Sequence, residues 1–191
     1  MSLPQKPKPA KLLIGIFVKD KALVKDVAQD LTDHFGPIDL LSAWLPFDYT
    51  NYYQKEMGQP LVRRVFSFIE LIEQTSLAEV KNITNDIEEK YSTNGSRRVN
   101  IDPGYLLLER FVLATGKNFS HRIYIGKKIY ADLTLIFKDG RYHTLPWTYP
   151  DYAAENMMKY LLKVRSKYAY DLKQIPSNTQ EEKADGNNMP K

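Results

Sequence analysis

Three groups of residues in the chain have types and spacing that suit chemistry. The first is His121-Arg122 with Asp132. A guanidinium can fork onto a phosphate or carboxylate, and a neighbouring imidazole can transfer a proton. The competing reading is a structural ion pair that sets strand register and leaves the arginine satisfied. The second is Asp102, in the run Asp102-Pro103-Gly104. It could act as a general base or metal ligand at a strand end. It could equally be the first residue of a Pro-Gly turn, a position that Asp favours. The third is Tyr49 to Met57, where Tyr52, Tyr53, Lys55 and Glu56 could close over a ligand or pack on each other.

A metal centre is not expected. His34, His121 and His143 are far apart, without HxH or HExxH spacing, and cysteine is absent. The lack of cysteine also excludes disulfides and thiolate nucleophiles, and it fits a reducing, cytoplasmic setting. No apolar run approaches the roughly 18 residues of a membrane span.

The elements that must position these groups follow from periodicity. Met1 to Ala10, with prolines between lysines, reads as an extended arm. Leu12–Val18 (LLIGIFV) is continuously apolar, as a strand covered on both faces would be. Leu23, Val27, Leu31 and Phe35 then mark an amphipathic helix, with Asp20 as its cap and Gly36-Pro37 as its stop. Ile38–Phe47 reads as a second strand, Pro46–Pro60 as a long connection and Leu61–Ile69 as a third strand. Within the third strand, Arg63-Arg64 should split between faces, one solvated and one paired. Ser76 with Glu79 forms a capping box for a second helix running to Tyr91, and Asn94-Gly95 turns into a fourth strand at Arg97–Ile101.

This βαββαβ order predicts an α+β protein with a ferredoxin-like sandwich, both helices on one face of the sheet. In that topology Arg97, Arg98 and the helix start near Asp20 form an anion-attracting floor beside the Tyr49–Met57 loop. Asp102 falls at the opposite end, where Pro103-Gly104 should stop the fourth strand. Tyr105–Thr115 is open between helix and strand, with Asp102, Pro103 and Gly116 favouring helix.

A β-meander and a closing helix extend the sandwich. Ile129, Ala131, Leu133, Leu135 and Phe137 alternate with Tyr130, Asp132, Thr134 and Ile136, so the apolar set should be buried. Matching the apolar faces of Ile123–Ile125 and Ile129–Ala131 selects a three-residue loop, Gly126-Lys127-Lys128. That register sets Arg122 opposite Asp132. Asp139-Gly140 turns into Tyr142–Leu145. Asp151 lies at a helix start, and Met157, Leu161, Val164, Tyr168 and Leu172 give the long closing helix. The organisation is therefore an arm (1–10), one α+β domain (11–172, with halves 11–102 and 103–172) and a polar, disordered tail (173–191).

The formal net charge is +4, but three lysines and no acid fall in residues 1–11 and the tail cancels, leaving +1 on residues 12–172. A nearly balanced body argues against duplex nucleic acid as a partner. The aromatic and basic strand pattern of RNA-recognition sheets is also missing. Trp44 and Trp147 read as core or interface anchors.

Several short motifs occur together in order: Tyr52-Tyr53 with Glu56-Met57-Gly58, Asn100 to Tyr105 (NIDPGY), Leu113-Ala114-Thr115, Ser120 to Tyr124 (SHRIY) and Leu145 to Tyr152 (LPWTYPDY). In these the chain resembles an uncharacterised bacterial domain-of-unknown-function family (family number 4416), over about Lys11 to Tyr170. The resemblance implies no established activity, although some members carry the label GTP-binding protein. The usual GTPase machinery is missing here. Gly116-Lys117 is followed by Asn118 and Gly126-Lys127 by Lys128, each without the first phosphate-loop glycine, and no Asn-Lys-x-Asp run occurs.

The sequence thus points first to a binding domain for a small anionic ligand, a nucleotide among the candidates, through Tyr53, Glu56, Arg97, His121 and Arg122. No cofactor is specified. The first rival is a hydrolase or phosphate-ester enzyme with Asp102 or Glu56 as base and His121 as acid. The second is an interaction module that contacts a protein partner through the Trp147 loop and the proline-lysine arm.

Overall fold

The computed structural model describes residues 2–175. They form an α+β architecture, a nine-stranded antiparallel sheet with five helices. The elements are β1 (Ala10–Val18), α1 (Leu23–Phe35), β2 (Ile38–Leu41), β3 (Leu45–Pro46), α2 (Gln54–Met57), β4 (Val62–Ile72) and α3 (Leu77–Lys90). After them come β5 (Val99–Leu106), β6 (Arg110–Thr115), β7 (Arg122–Tyr124), β8 (Tyr130–Lys138), β9 (Arg141–Thr144), α4 (Pro150–Ala153) and α5 (Glu155–Gln174). The sheet order is β2-β4-β1-β5-β6-β8-β7, with β3 on β4 and β9 on β8.

β1 lies between β4 and β5 and is buried along its whole length. Its side chains alternate between two cores. Leu12, Ile14, Ile16 and Val18 pack with Leu23, Val27 and Leu31 of α1 and Val80 and Ile87 of α3. Leu13, on the other face, joins a cluster with Tyr160, Leu161, Val164 and Tyr168 of α5. Each fully buried Leu or Ile is worth about 1.5–3 kcal/mol. Polar groups also pin α5. The Lys11 ammonium, fully buried, donates to Asp39 Oδ2 at 2.5 Å and to Asp171 Oδ2 at 2.9 Å. α1 ends as its sequence requires, with Gly36 at φ 79° donating to the Thr32 carbonyl.

Several expectations are overturned. Asp102-Pro103-Gly104 is no turn: β5 runs through it, and Gly15 pairs with Asp102, Ile14 with Pro103 and Leu13 with Gly104. Proline is tolerated because β6 pairs with β5 only from Gly104 onward, leaving one side of β5 without a ladder at Pro103. Gly104 is needed for closeness, since an added Cβ would collide with the Val112 carbonyl. Tyr105–Thr115 is consequently a hairpin, not a helix, with Leu107 N–H donating to the Arg110 carbonyl across its turn. The boundary proposed between residues 102 and 103 therefore falls inside a strand.

Smaller corrections follow the same pattern. Ile38–Phe47 breaks into β2 and β3, and the Pro46–Pro60 connection contains α2. Ser76 makes no capping box; its hydroxyl donates to the Glu73 carbonyl. Asp20 accepts from the Ala22 N–H one turn ahead of α1. The closing helix is interrupted at Ala154, which has extended backbone. Lys173 and Gln174 are still helical, and the rest of the proposed tail, from residue 176, lies outside the described residues.

The meander register stands as derived, with Arg122 opposite Asp132, Ile123 opposite Ala131 and Tyr124 opposite Tyr130. Its burial stands only in part, at Ile129 and Leu135. Asp132 and Thr134 are buried, Ala131 and Leu133 are half-buried, and Ile123 is 71% exposed. The cause is the Leu145–Tyr152 loop. Its Trp147 Nε1 donates to the Leu133 carbonyl at 2.7 Å and its Thr148 hydroxyl to the Thr134 carbonyl at 2.6 Å.

Candidate functional site

The sheet forks where β6 leaves β5. Beyond Gly104 towards Val99, β5 has no strand on its outer side, whereas β6 continues to Thr115 along β8. Two side chains of α3 take the missing strand's place on β5. Lys81 Nζ donates to the Ile101 carbonyl at 2.7 Å, and Glu88 Oε1 accepts from the Ile101 N–H at 2.7 Å. The fork encloses a cleft of about 700 Å³. Asn100 and Asp102 line it from β5, Leu113 to Lys117 from β6 and beyond, Asp132 from β8, and Tyr149 to Tyr152 from the aromatic loop. Phe17, Phe47, Tyr52 and Tyr53 complete an aromatic wall.

The floor is organised by Arg63. This buried side chain extends from β4 and donates to Asp102 Oδ2 at 2.9 Å and to the Asp151 carboxylate. Its guanidinium is sandwiched by Phe17, Phe47 and Tyr152, at 5.5, 4.9 and 4.8 Å from the ring centroids. Its Nε is buried and makes no hydrogen bond. Burial opposes the charge of Arg63, but Tyr152, Asp151 and Asp102 raise its pKa. Burial also pushes the Asp151 carboxyl up, against the pull of Arg63. Asp102 takes a second bond, from Asn100 Nδ2 to its Oδ1 at 3.0 Å. Gly15 lies under this cluster; an added Cβ would sit 3.2 Å from the Tyr152 hydroxyl.

The second wall is organised by Arg97. Its Nε and Nη2 donate to the two carboxylate oxygens of Glu56, each at 2.8 Å, and its Nη1 donates to Asn100 Oδ1 at 2.7 Å. These bonds hold the Glu56 carboxyl at about 2, below its ordinary range, and raise Arg97 in turn. Glu88 lies 3.5 Å from Arg97, and burial raises its pKa despite Lys81 and the Ile101 N–H. Burial likewise raises Tyr53, Tyr149 and Tyr152, so their hydroxyls remain donors.

The third wall depends on Arg122. Its Nε donates to Asp132 Oδ2 at 2.9 Å, its Nη1 to the Lys117 carbonyl at 2.8 Å and its Nη2 to the Tyr149 hydroxyl at 2.5 Å. His121 Nε2 lies 3.2 Å from the same Asp132 oxygen, and the imidazole stacks on Trp147 with centroids 4.8 Å apart.

Tyr53, Arg97 and Asp102 therefore line the cleft. Glu56, His121 and Arg122 do not; they hold Arg97 and Asp132, which do. Asp102 is not at the opposite end from the Tyr49–Met57 loop, as the turn reading required. It shares one cleft with Tyr52, Tyr53 and Arg97. Arg98 pairs with Asp20 at 3.7 Å, and it does not line the cleft.

Sequence reasoning missed Lys81, Glu88, Asn100, Lys117 and Asp151 as lining residues. A signal existed for Asn100, since Asn100 and Asp102 share one face of a strand whose other face is Val99 and Ile101. None existed for Lys81 and Glu88, which look like the solvated side of an amphipathic helix. Among the described residues no three His, Asp or Glu side chains cluster as a metal site, and no helix is long and apolar enough to cross a membrane.

Fold and cleft together define an α+β domain whose forked antiparallel sheet carries a polar, aromatic-walled cavity. The family model described as domain of unknown function (DUF4416) matches residues 8–168, and the chain belongs to that family. No curated protein and no solved structure matches it.

Proposed function

We propose that this chain is a binding domain for a small anionic ligand with an aromatic or similarly flat portion, nucleotide-sized. The observation that carries the reading is the cleft in the sheet fork. About 700 Å³ falls in the range that small-molecule sites occupy. Aromatic rings on one side and a cation at the mouth favour a flat, negatively charged guest. In this reading Tyr53 packs on the ligand and Lys117 meets its anion. Glu56, Arg97, His121 and Arg122 act as positioning residues for the walls.

Two geometric facts weigh against the hydrolase reading. Glu56 is clamped by Arg97 at a pKa of about 2, which makes it a poor base. His121 is stacked on Trp147 behind Asp132, away from Asp102. Asp102 alone of that set opens to the cleft. In the interaction-module reading Trp147 is held by His121 and by the Leu133 carbonyl while 36% of its surface stays exposed. We further read the first half of the chain as a ferredoxin-like split pair. The order β2-β4-β1-β5, with α1 and α3 in one core, supports that reading. A cytoplasmic setting is inferred from the absence of cysteine.

The test is thermal unfolding against inorganic phosphate, sugar phosphates and adenine and guanine nucleotides. A true ligand at a hundredfold excess over Kd should stabilise by about 2.7 kcal/mol, or about 5 °C or more. Lys117→Ala and Tyr53→Ala should reduce the shift. No shift from any of these compounds overturns the proposal.

A further inference from the structure

We propose that the ligand carries a vicinal diol, which Asp102 holds at the floor of the cleft, while Lys117 meets its anionic group at the mouth. The inference rests on the binding reading above and narrows it to ribonucleotides, with ribose 5-phosphate as their fragment without the flat base.

Four carboxylates line the cleft, and three of them are closed. The side chains of Asp132, Asp151 and Glu88 are 2%, 9% and 11% exposed. Asp102 is 29% exposed. A carboxylate offers about four acceptor positions, two on each oxygen. Asn100 takes one on Oδ1 and Arg63 takes one on Oδ2. One acceptor therefore remains on each oxygen. Two adjacent hydroxyls fit this arrangement, the same chemistry by which a carboxylate reads a ribose in dinucleotide-binding folds.

The cations divide the same way. Arg63 turns its two terminal nitrogens to Asp151 and Asp102, its buried Nε staying without a partner, and Arg97 turns its donors to Glu56 and Asn100. Lys81 donates to the Ile101 carbonyl and lies 3.7 Å from Glu88. Lys117, among the described residues, enters no ion pair; its ammonium lies over the Tyr52 ring and 3.3 Å from the Tyr52 hydroxyl. The floor thus presents acceptors and the mouth a donor cation, so the guest must present hydroxyls inward and its anion outward.

The experiment is calorimetric titration of the full chain with adenosine and guanosine 5′-monophosphate, their 2′,3′-dideoxy analogues and ribose 5-phosphate. At least one diol compound should bind, and deleting its hydroxyls should cost about tenfold to a hundredfold in affinity, as loss of hydrogen bonds to a charged group does. Asp102→Asn should abolish the preference for the diol. Lys117→Ala should weaken every compound alike. Because the comparison of diol with dideoxy compounds is made on the unaltered protein, it holds even if Asp102→Asn disturbs Arg63. Binding of diol and dideoxy forms within about twofold overturns the diol inference and leaves the binding reading standing. Failure of every compound to bind overturns both.

Discussion

Replacing Arg63 by Met should expose how the cleft is built. Arg63 is the only cation in contact with Asp151 among the described residues, and Asp151 is nearly closed to solvent. Methionine can keep the apolar contacts with Phe17, Phe47 and Tyr152, so the main loss is charge. Removing one partner of a buried ion pair costs about 3–5 kcal/mol, because the other charge stays buried and uncompensated. For a chain of this length that is a fall in Tm of about 6–20 °C. The penalty should depend on pH in one direction. Burial already raises the Asp151 pKa above 3.8, and loss of Arg63 raises it further. A carboxyl with a raised folded-state pKa loses stability as pH climbs from its unfolded value through its folded one. The gap between Arg63→Met and the native chain should therefore narrow towards pH 4 and widen towards pH 8. Asp151→Asn added to Arg63→Met should recover about 1–3 kcal/mol, whereas the same change in the native chain should cost stability. Urea denaturation of the four proteins at both pH values measures all of this. A loss under about 1 kcal/mol for Arg63→Met, or strictly additive effects, would refute the reasoning.

Three further outcomes follow from the same physics. Glu56→Gln should cost about 1 kcal/mol at pH 7, discounted for the partial exposure of the pair; since the Glu56 pKa is lowered from 4.5 to about 2, that stability is present above 4.5 and is lost as pH falls through about 2, so denaturation curves of the two proteins should converge there. Lys11→Met should destabilise by about 3 kcal/mol, because Asp39 and Asp171 lose a fully buried partner; a change within about 0.5 kcal/mol in denaturant midpoint would mean that Lys167 suffices. Gly104→Ala should cost about 1–3 kcal/mol by forcing β5 and β6 apart, and hydrogen exchange should quicken at Arg110–Thr115 rather than across the α1 core.

Local rules were readable wherever one residue type leaves few choices. The continuous apolar run Leu12–Val18 could only be a covered strand, and it lies between β4 and β5. Gly36, Asn94-Gly95 and Asp139-Gly140 take the positive φ angles that their turns need. The pairing of Arg122 with Asp132 followed from matching apolar faces around Gly126–Lys128, because a slip of one residue would invert the whole pair. Where local rules failed, a neighbour distant in sequence intervened. Pro103-Gly104 carries the strongest turn signal in the chain, yet β1 on one side and the approach of β6 at Gly104 keep it extended. Asp132 and Thr134 looked solvated until the Leu145–Tyr152 loop folded over them.

By itself, then, the sequence determined the alternation of strands and helices in the first half, the buried faces of α1 and α3, the turns at Gly36, Asn94-Gly95 and Asp139-Gly140 and the strand register of the meander, all of which depend on residues close to one another in the chain. Only the tertiary structure decided that the sheet forks at Gly104. With the fork came the cleft, and with the cleft the gathering of Arg63, Arg97, Asp102, Asp132 and Asp151 from four separate stretches of chain. The reason is physical: a ladder that stops leaves backbone groups and charges that must be satisfied, and side chains far away in sequence satisfy them.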